Sequence, residues 1–299
     1  MSPWQTCTQV SADRPRAAAT NVIMTDMEQK MSSYAKYECL KVEVSEKVAT
    51  VTLNRPQARN AINQKLIREL RTIWDDLADD HAVSAVVLTG AGEFFSVGGD
   101  VKAMSERPGG DVLEEGEVHD PMISRRGVTR QLELDKPIIA AINGDAIGLA
   151  ATHALLSDIT VMAEDARIGD THVSRVGLVA GDGGTVIWPL LIGINKAKEY
   201  LIRGTLLNGK EAERIGLVNH VVPRSEVLAK AREIAVELAN GPTWAIRWTK
   251  LSINQIVKER VNMLLEASMA LEQVTFETAD HKEATMSFKE KRKPKFGKA

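Results

Sequence analysis

Lys136–Pro189 reads KPIIAAINGDAIGLAATHALLSDITVMAEDARIGDTHVSRVGLVAGDGGTVIWP. It opens with a β-branched run, Ile138 to Ile142, which breaks at Asn143–Gly144 and passes into small residues from Ala146 to Ala151. A strand, a tight turn and a helix start built from small residues let a ligand approach backbone N–H groups closely. A helical segment and a second apolar run, Ile159 to Met162, follow. Then comes a polar loop with Asp170, His172 and Asp182 among glycines. Amide donors aimed at a developing oxyanion, with an acid or base beside them, are what chemistry at a carbonyl or thioester needs.

On the N-terminal side, Leu40, Val42 and Val44 alternate, as do Val48, Thr50 or Val51 and Leu53, with Ser45-Glu46-Lys47 as the turn and Pro56 as the stop. Asn63 caps an amphipathic helix whose face is Leu66, Ile67, Leu70, Ile73, Trp74 and Leu77. Ala85 to Leu88 is a short buried strand that runs into the glycine-bearing EFFSVGGD turn. The acidic, glycine-rich stretch from Arg107 to Asp120 reads as a mobile surface loop, and Ile123 to Leu134 as a helix. On the C-terminal side come helices at Asn195–Leu201 and Lys210–Ile215 and a strand at Leu217–Val222. Beyond Ser225 the pattern is helical throughout, over Val227–Ala239, Thr243–Val257 and Val261–Thr278, ending in a basic tail. Strands alternating with helices, then helices alone, predict an α/β fold with a helical C-terminal region. The boundaries are a disordered N-terminal extension over 1–35, a core over 36–224 and a helical region over 225–299.

Composition narrows the function. A net charge of −2 gives no reason to expect nucleic acid as a partner. No apolar run reaches the roughly 18–20 residues that span a membrane. Cys7 and Cys39 fall in no paired spacing, which predicts neither a disulfide framework nor a metal site and fits the cytoplasm.

Six segments in order resemble the crotonase (enoyl-CoA hydratase/isomerase) superfamily: TLNRPQARNAI, VVLTGAGEFFSVGGDV, KPIIAAINGDAIG, the loop around GDGGT, ERIGLVNHVV and FKEKRKPKF. The resemblance covers Tyr37 to Phe296. It implies a spiral of ββα turns, a helical trimerisation region, a homotrimer or dimer of trimers, and an acyl-CoA substrate with no further cofactor. It also implies two oxyanion-hole amides, at Gly99 and at Leu149. Coenzyme A contacts are implied at Ala58, Arg59 and Asp100, with Phe288 and Lys291 reaching in from a neighbouring subunit's tail. The bland reading of Gly99 and Leu149 is tight packing, and of the basic tail a solvated surface.

The sequence also departs from the family. A standard hydratase places two glutamates across the double bond; here those positions hold Thr152 and His172. HVSRVGLVAGDGGTVIWP is instead similar to the matching region of 6-oxocamphor hydrolase, a crotonase relative that cleaves a carbon–carbon bond in a β-diketone with a His/Asp pair. By that resemblance Asp182 orients His172, a neutral base titrating near its ordinary value of about 6.5, and Thr152 lines the pocket. Asp182 also reads as a turn residue, His172 as a structural histidine, and Asp170 and Asp145 as loop residues. Three readings stay open: a CoA lyase of hydratase type, a hydrolase of β-diketones or β-keto substrates, and a CoA-binding protein without catalysis. The basic tail, Arg59 and the intact amide motifs favour coenzyme A, as in the first and third, while loss of both glutamates favours the second or third; hydratase-type chemistry on a CoA thioester is the expectation carried forward.

Overall fold

The computed structural model describes residues 34–102 and 122–297. The Arg107–Asp120 loop and nearly all of the expected N-terminal extension lie outside the described residues. Two units divide between Tyr37 and Glu38. Of the first, residues 34–37 form a turn in which the Tyr37 N–H donates to the Tyr34 carbonyl over 3.1 Å.

The second unit begins with β1 (Leu40–Ser45) and β2 (Val48–Leu53), joined by Glu46 and Lys47 at φ of 53° and 63°. Two successive left-handed residues are the turn that matches the twist of an antiparallel hairpin. Helix α1 (Gln64–Asp79) follows Asn63, whose side chain accepts from the Leu66 N–H as a cap. Its buried face holds Leu66, Leu70, Ile73, Trp74 and Leu77, and also Glu69. Then come β3 (Ala85–Gly90), α2 (Met122–Glu133), β4 (Ile138–Ile142), β5 (Ala146–Ile147), α3 (Leu149–Leu155), β6 (Ile159–Ala163) and β7 (Arg167–Gly169). A single π-helical turn, His172–Val176, leads to α4 (Gly184–Ile192) and α5 (Ile194–Arg203). The chain ends with β8 (Leu207–Asn208), α6 (Gly209–Arg214), β9 (His220–Val222), α7 (Val227–Ala239), α8 (Thr243–Phe276) and α9 (Ala279–Lys289).

The larger sheet has the order β1-β2-β3-β4-β6-β9, and the smaller has β5-β7-β8. Only β1–β2 is antiparallel in the larger sheet. β4 then β5, and β6 then β7, each give one strand to the large sheet and the next to the small one. That is the ββα spiral the resemblance implies. β2, β3 and β4 are almost wholly buried, because α7 covers one face with Val227, Ala231, Ala235 and Ala239.

Several elements differ from the sequence reading. The two helices expected at Thr243–Val257 and Val261–Thr278 are one helix of 34 residues, since Lys258-Glu259-Arg260 are all helix formers and nothing between them breaks it. The Leu217–Val222 strand shrinks to His220–Val222, the edge of the sheet. The small sheet was not anticipated, because strands of two or three residues carry no readable alternation.

Candidate active site

Two glycine-rich turns meet side by side. Ser96 bridges Ala146 in parallel, the Ser96 N–H donates to the Asp145 carbonyl, and the Ile147 N–H donates to the Ser96 carbonyl. Gly98, at φ 83°, then crosses the chain at Ile147; a Cβ there would lie 2.4 Å from the Ile147 oxygen. On its other side this segment bridges Ile62. The Ile62 N–H donates to the Gly98 carbonyl and the Asp100 N–H to the Ile62 carbonyl. In that alternation the Gly99 N–H points away from Ile62. The Gly148 N–H is used on the Gly169 carbonyl, so the next amide, Leu149, opens α3 as a helix-start donor without an intrahelical acceptor.

The imidazole of His172 stands over this junction, with Cε1 3.1 Å from where a Gly148 Cβ would be. The π-turn holds it: the Leu178 N–H returns to the His172 carbonyl over 3.0 Å. Its side chain is 12% exposed and faces three carboxylates. Nδ1 donates to Asp170 Oδ1 at 2.8 Å, and the same oxygen accepts the His172 backbone N–H at 3.0 Å. Nε2 lies 3.5 Å from Asp182 Oδ2 and 3.9 Å from Glu272 Oε1. The residue that orients the ring is therefore Asp170, not Asp182 as expected. Burial alone would depress the His172 pKa. The charge of Asp170 and then of Asp182, with the Asp170 hydrogen bond and Glu272, outweighs it and holds the pKa well above the usual value. The surrounding carboxylates thus favour the charged ring, where the sequence reading expected a base titrating near its ordinary value. Burial pushes Asp182 up to about 6, with the His172 charge opposing the rise. Burial and then the Asp182 charge push Glu272 up to about 8. Asp170, His172 and Asp182 bring ligand-type atoms within 4.8 Å of one another. The two ring nitrogens face different carboxylates, which is the geometry of an ion-paired imidazole.

A cavity of about 1450 Å³ runs from here to the tail, and its lining includes Gly99, Asp100, Ala58, Arg59, His172 and Phe288. Asn60 shapes the Ala58–Arg59 turn: its Nδ2 donates to the Ala91 and Phe94 carbonyls, and its Oδ1 accepts the Arg55 N–H. Asp100 pairs with Arg55 at 3.3 Å. Phe288 reaches the cavity of its own chain. Arg292 and Lys293 line it, whereas Lys291, Leu149, Asp182 and Glu272 do not; Asp182 and Glu272 keep 12% and 14% of their side chains exposed beside His172 Nε2. Thr152 is fully buried, off the cavity, with its methyl 2.7 Å from where a Gly183 Cβ would be. Its neighbour His153 is buried against Gln131, and burial lowers its pKa to about 4.

A sequence profile described as Enoyl-CoA hydratase/isomerase matches residues 43–299. The chain belongs to the enoyl-CoA hydratase/isomerase family. It is 36% identical to a short-chain-enoyl-CoA hydratase of Clostridium acetobutylicum over 254 residues, 84% of this chain and 95% of the other. It is 33% identical to a crotonyl-CoA hydratase of Syntrophomonas wolfei, covering 87% of this chain and 98% of that one. Among solved structures, an enoyl-CoA hydratase/isomerase from Mycobacterium paratuberculosis superposes with a TM-score of 0.78 at 34% identity, covering 83% of this chain and 98% of that one. The mixed α/β architecture is that of this family. What sequence reasoning missed in this enoyl-CoA hydratase/isomerase chain is Glu272. It lies 90 positions after Asp182 on a helix where a glutamate reads as solvated surface.

Proposed function

We propose that this enzyme adds water across the α,β-double bond of an enoyl-CoA thioester. The observation that carries the reading is the convergence of Gly99, His172, Arg59 and Phe288 on one cavity. Beside His172 the Gly99 and Leu149 amides hold the thioester oxygen as an enolate forms, and along the cavity Ala58, Arg59 and Phe288 hold coenzyme A. His172 and Asp182 belong to the proton-handling group, and Asp100 acts through Arg55. Lys291 faces a coenzyme A phosphate from a neighbouring subunit's tail, and Thr152 backs the site. Coenzyme A enters as part of the substrate, and no other cofactor is needed. The protein works in the cytoplasm as a homotrimer or a dimer of trimers. No described helix is long and apolar enough to cross a membrane.

The carboxylate-bound imidazole also favours a second reading, hydrolysis of a β-diketone or β-keto substrate by activated water. Loss of catalysis is disfavoured by the cost of keeping Asp170, Asp182 and Glu272 buried together with no task. The deciding experiment offers the purified protein crotonyl-CoA, β-keto-CoA and free β-diketones, with products identified by mass spectrometry. We expect 3-hydroxyacyl-CoA from the first. Carbon–carbon cleavage products from the others, with crotonyl-CoA untouched, would replace hydration by the second reading.

A further inference from the structure

Hydration needs one group to take a proton from water and another to give one to Cα, and both glutamates that do so in a standard hydratase are missing from their positions. Besides Asp170 on Nδ1, two carboxyls stand beside His172 Nε2. Asp182 faces Nε2 through Oδ2, while its Oδ1 makes no hydrogen bond of ordinary geometry. Glu272 comes from α8. A Cβ at Gly181 would lie 2.7 Å from both Glu272 Cβ and Oε2, so only glycine lets the loop close on this side chain. Ser268 Oγ donates to the Gly181 carbonyl over 2.9 Å, and the Val179 N–H donates to Thr275 Oγ1 over 3.2 Å. Ser268, Glu272 and Thr275 share one helix face, at i, i+4 and i+7. That face fixes Glu272 against the loop that carries Asp182.

Resting on the hydratase reading, we propose that Asp182 and Glu272 are the base and the acid of this reaction. The Asp182 carboxylate takes a proton from water as the water oxygen bonds to Cβ. The double-bond electrons move onto the thioester oxygen, held by the Gly99 and Leu149 amides. The Glu272 carboxylic acid then protonates Cα, and substrate plus one water has become the 3-hydroxyacyl thioester. Asp182 is left protonated and Glu272 ionised. The proton returns from Asp182 to Glu272 through His172 Nε2, which gives one proton and receives the other. Environments that hold two carboxyls at about 6 and about 8 leave one ionised and one protonated near neutrality. The charged groups facing Glu272 are Asp182, His172 and Asp170. Helix α4 brings none, Arg125 on α2 is paired to Glu266, and His281 on α9 is turned to the Val176 carbonyl.

The test compares wild type, Asp182→Asn, Glu272→Gln and Glu272→Asp. It measures crotonyl-CoA hydration against pH and exchange of the α-hydrogens of butanoyl-CoA in D2O, with circular dichroism and CoA affinity as folding controls. Wild type should give a bell-shaped profile whose acid limb belongs to Asp182 and whose alkaline limb belongs to Glu272. Asp182→Asn and Glu272→Gln should each lower kcat by about 10²–10⁴-fold. Glu272→Gln should lose the alkaline limb and the α-exchange. Asp182→Asn should keep the exchange, and Glu272→Asp should recover part of both. Hydration at the wild-type rate by Glu272→Gln overturns the pair alone. If Glu272→Gln does not fold, an alkaline limb unmoved in Glu272→Asp does the same. Wild type that binds crotonyl-CoA and never hydrates it overturns the hydratase reading and the pair with it.

Discussion

Gly148 sits where three demands meet. Its φ of 58° and ψ of −127° lie in a region that L side chains avoid, its N–H is used on Gly169, and the His172 ring stands where a Cβ would need room. Gly148→Ala should push the imidazole and the Leu149 amide apart, by an amount that can cost about 10²-fold in kcat. Coenzyme A affinity by calorimetry should be little changed, since Arg59 and Phe288 lie elsewhere along the cavity. An unaltered kcat would remove this contact from the catalytic geometry. At this scale the sequence carried His172 and Asp182, because one short loop holds both. It misassigned the partner of Nδ1, because Asp170 and Asp182 flank the histidine and only the π-turn decides which carboxylate meets which nitrogen. Glu272 was illegible, since nothing local distinguishes a glutamate that reaches a distant loop from one in solvent.

Among the elements, α1 shows how a buried charge can be structural. Glu69 lies on the apolar face of the helix, and its carboxylate accepts the backbone N–H groups of Glu38, Cys39 and Leu40 at 3.0, 2.9 and 3.0 Å. It anchors the start of β1, so its loss strands three donors, those of Cys39 and Leu40 buried. Glu69→Ala should lower the unfolding free energy by about 3 kcal/mol in urea titration. Glu69→Gln, which keeps one acceptor, should lose less, and equal stability of Glu69→Ala and wild type would show that the amides find other partners. The periodic apolar face of α1 was readable with its cap. The place of Glu69 was not, because a carboxylate at that spacing reads as a break in the stripe. Likewise the reading of α8 as two helices broke it where Lys258-Glu259-Arg260 carry no stop signal, and the single helix packs against both α2 and α4.

For the whole molecule, the spiral was legible because six motifs fell in order, whereas the assembly has to be argued from surface. Ile253, Ile256, Met263, Leu264, Leu271 and Val274 on α8 are each at least 40% exposed. Helical spacing puts them on one stripe, away from the buried Asn254, Val261, Leu265 and Ser268. We expect light scattering at micromolar concentration to give a trimer or a dimer of trimers, and Leu271→Glu with Val274→Glu to reduce the mass toward one chain. A monomeric wild type would discard the assembly. The same helix carries Ser268, Glu272 and Thr275 on its inner side, against the catalytic loop. A helix about 10–12 Å across is stiff, so a roll of about 10° about its axis sweeps a side-chain tip ~5 Å off that axis through about 1 Å. Displacement of that size at Glu272 is enough to throttle turnover. The outer stripe and the proton chemistry are two ends of one shaft, and neither can be retuned without turning the other.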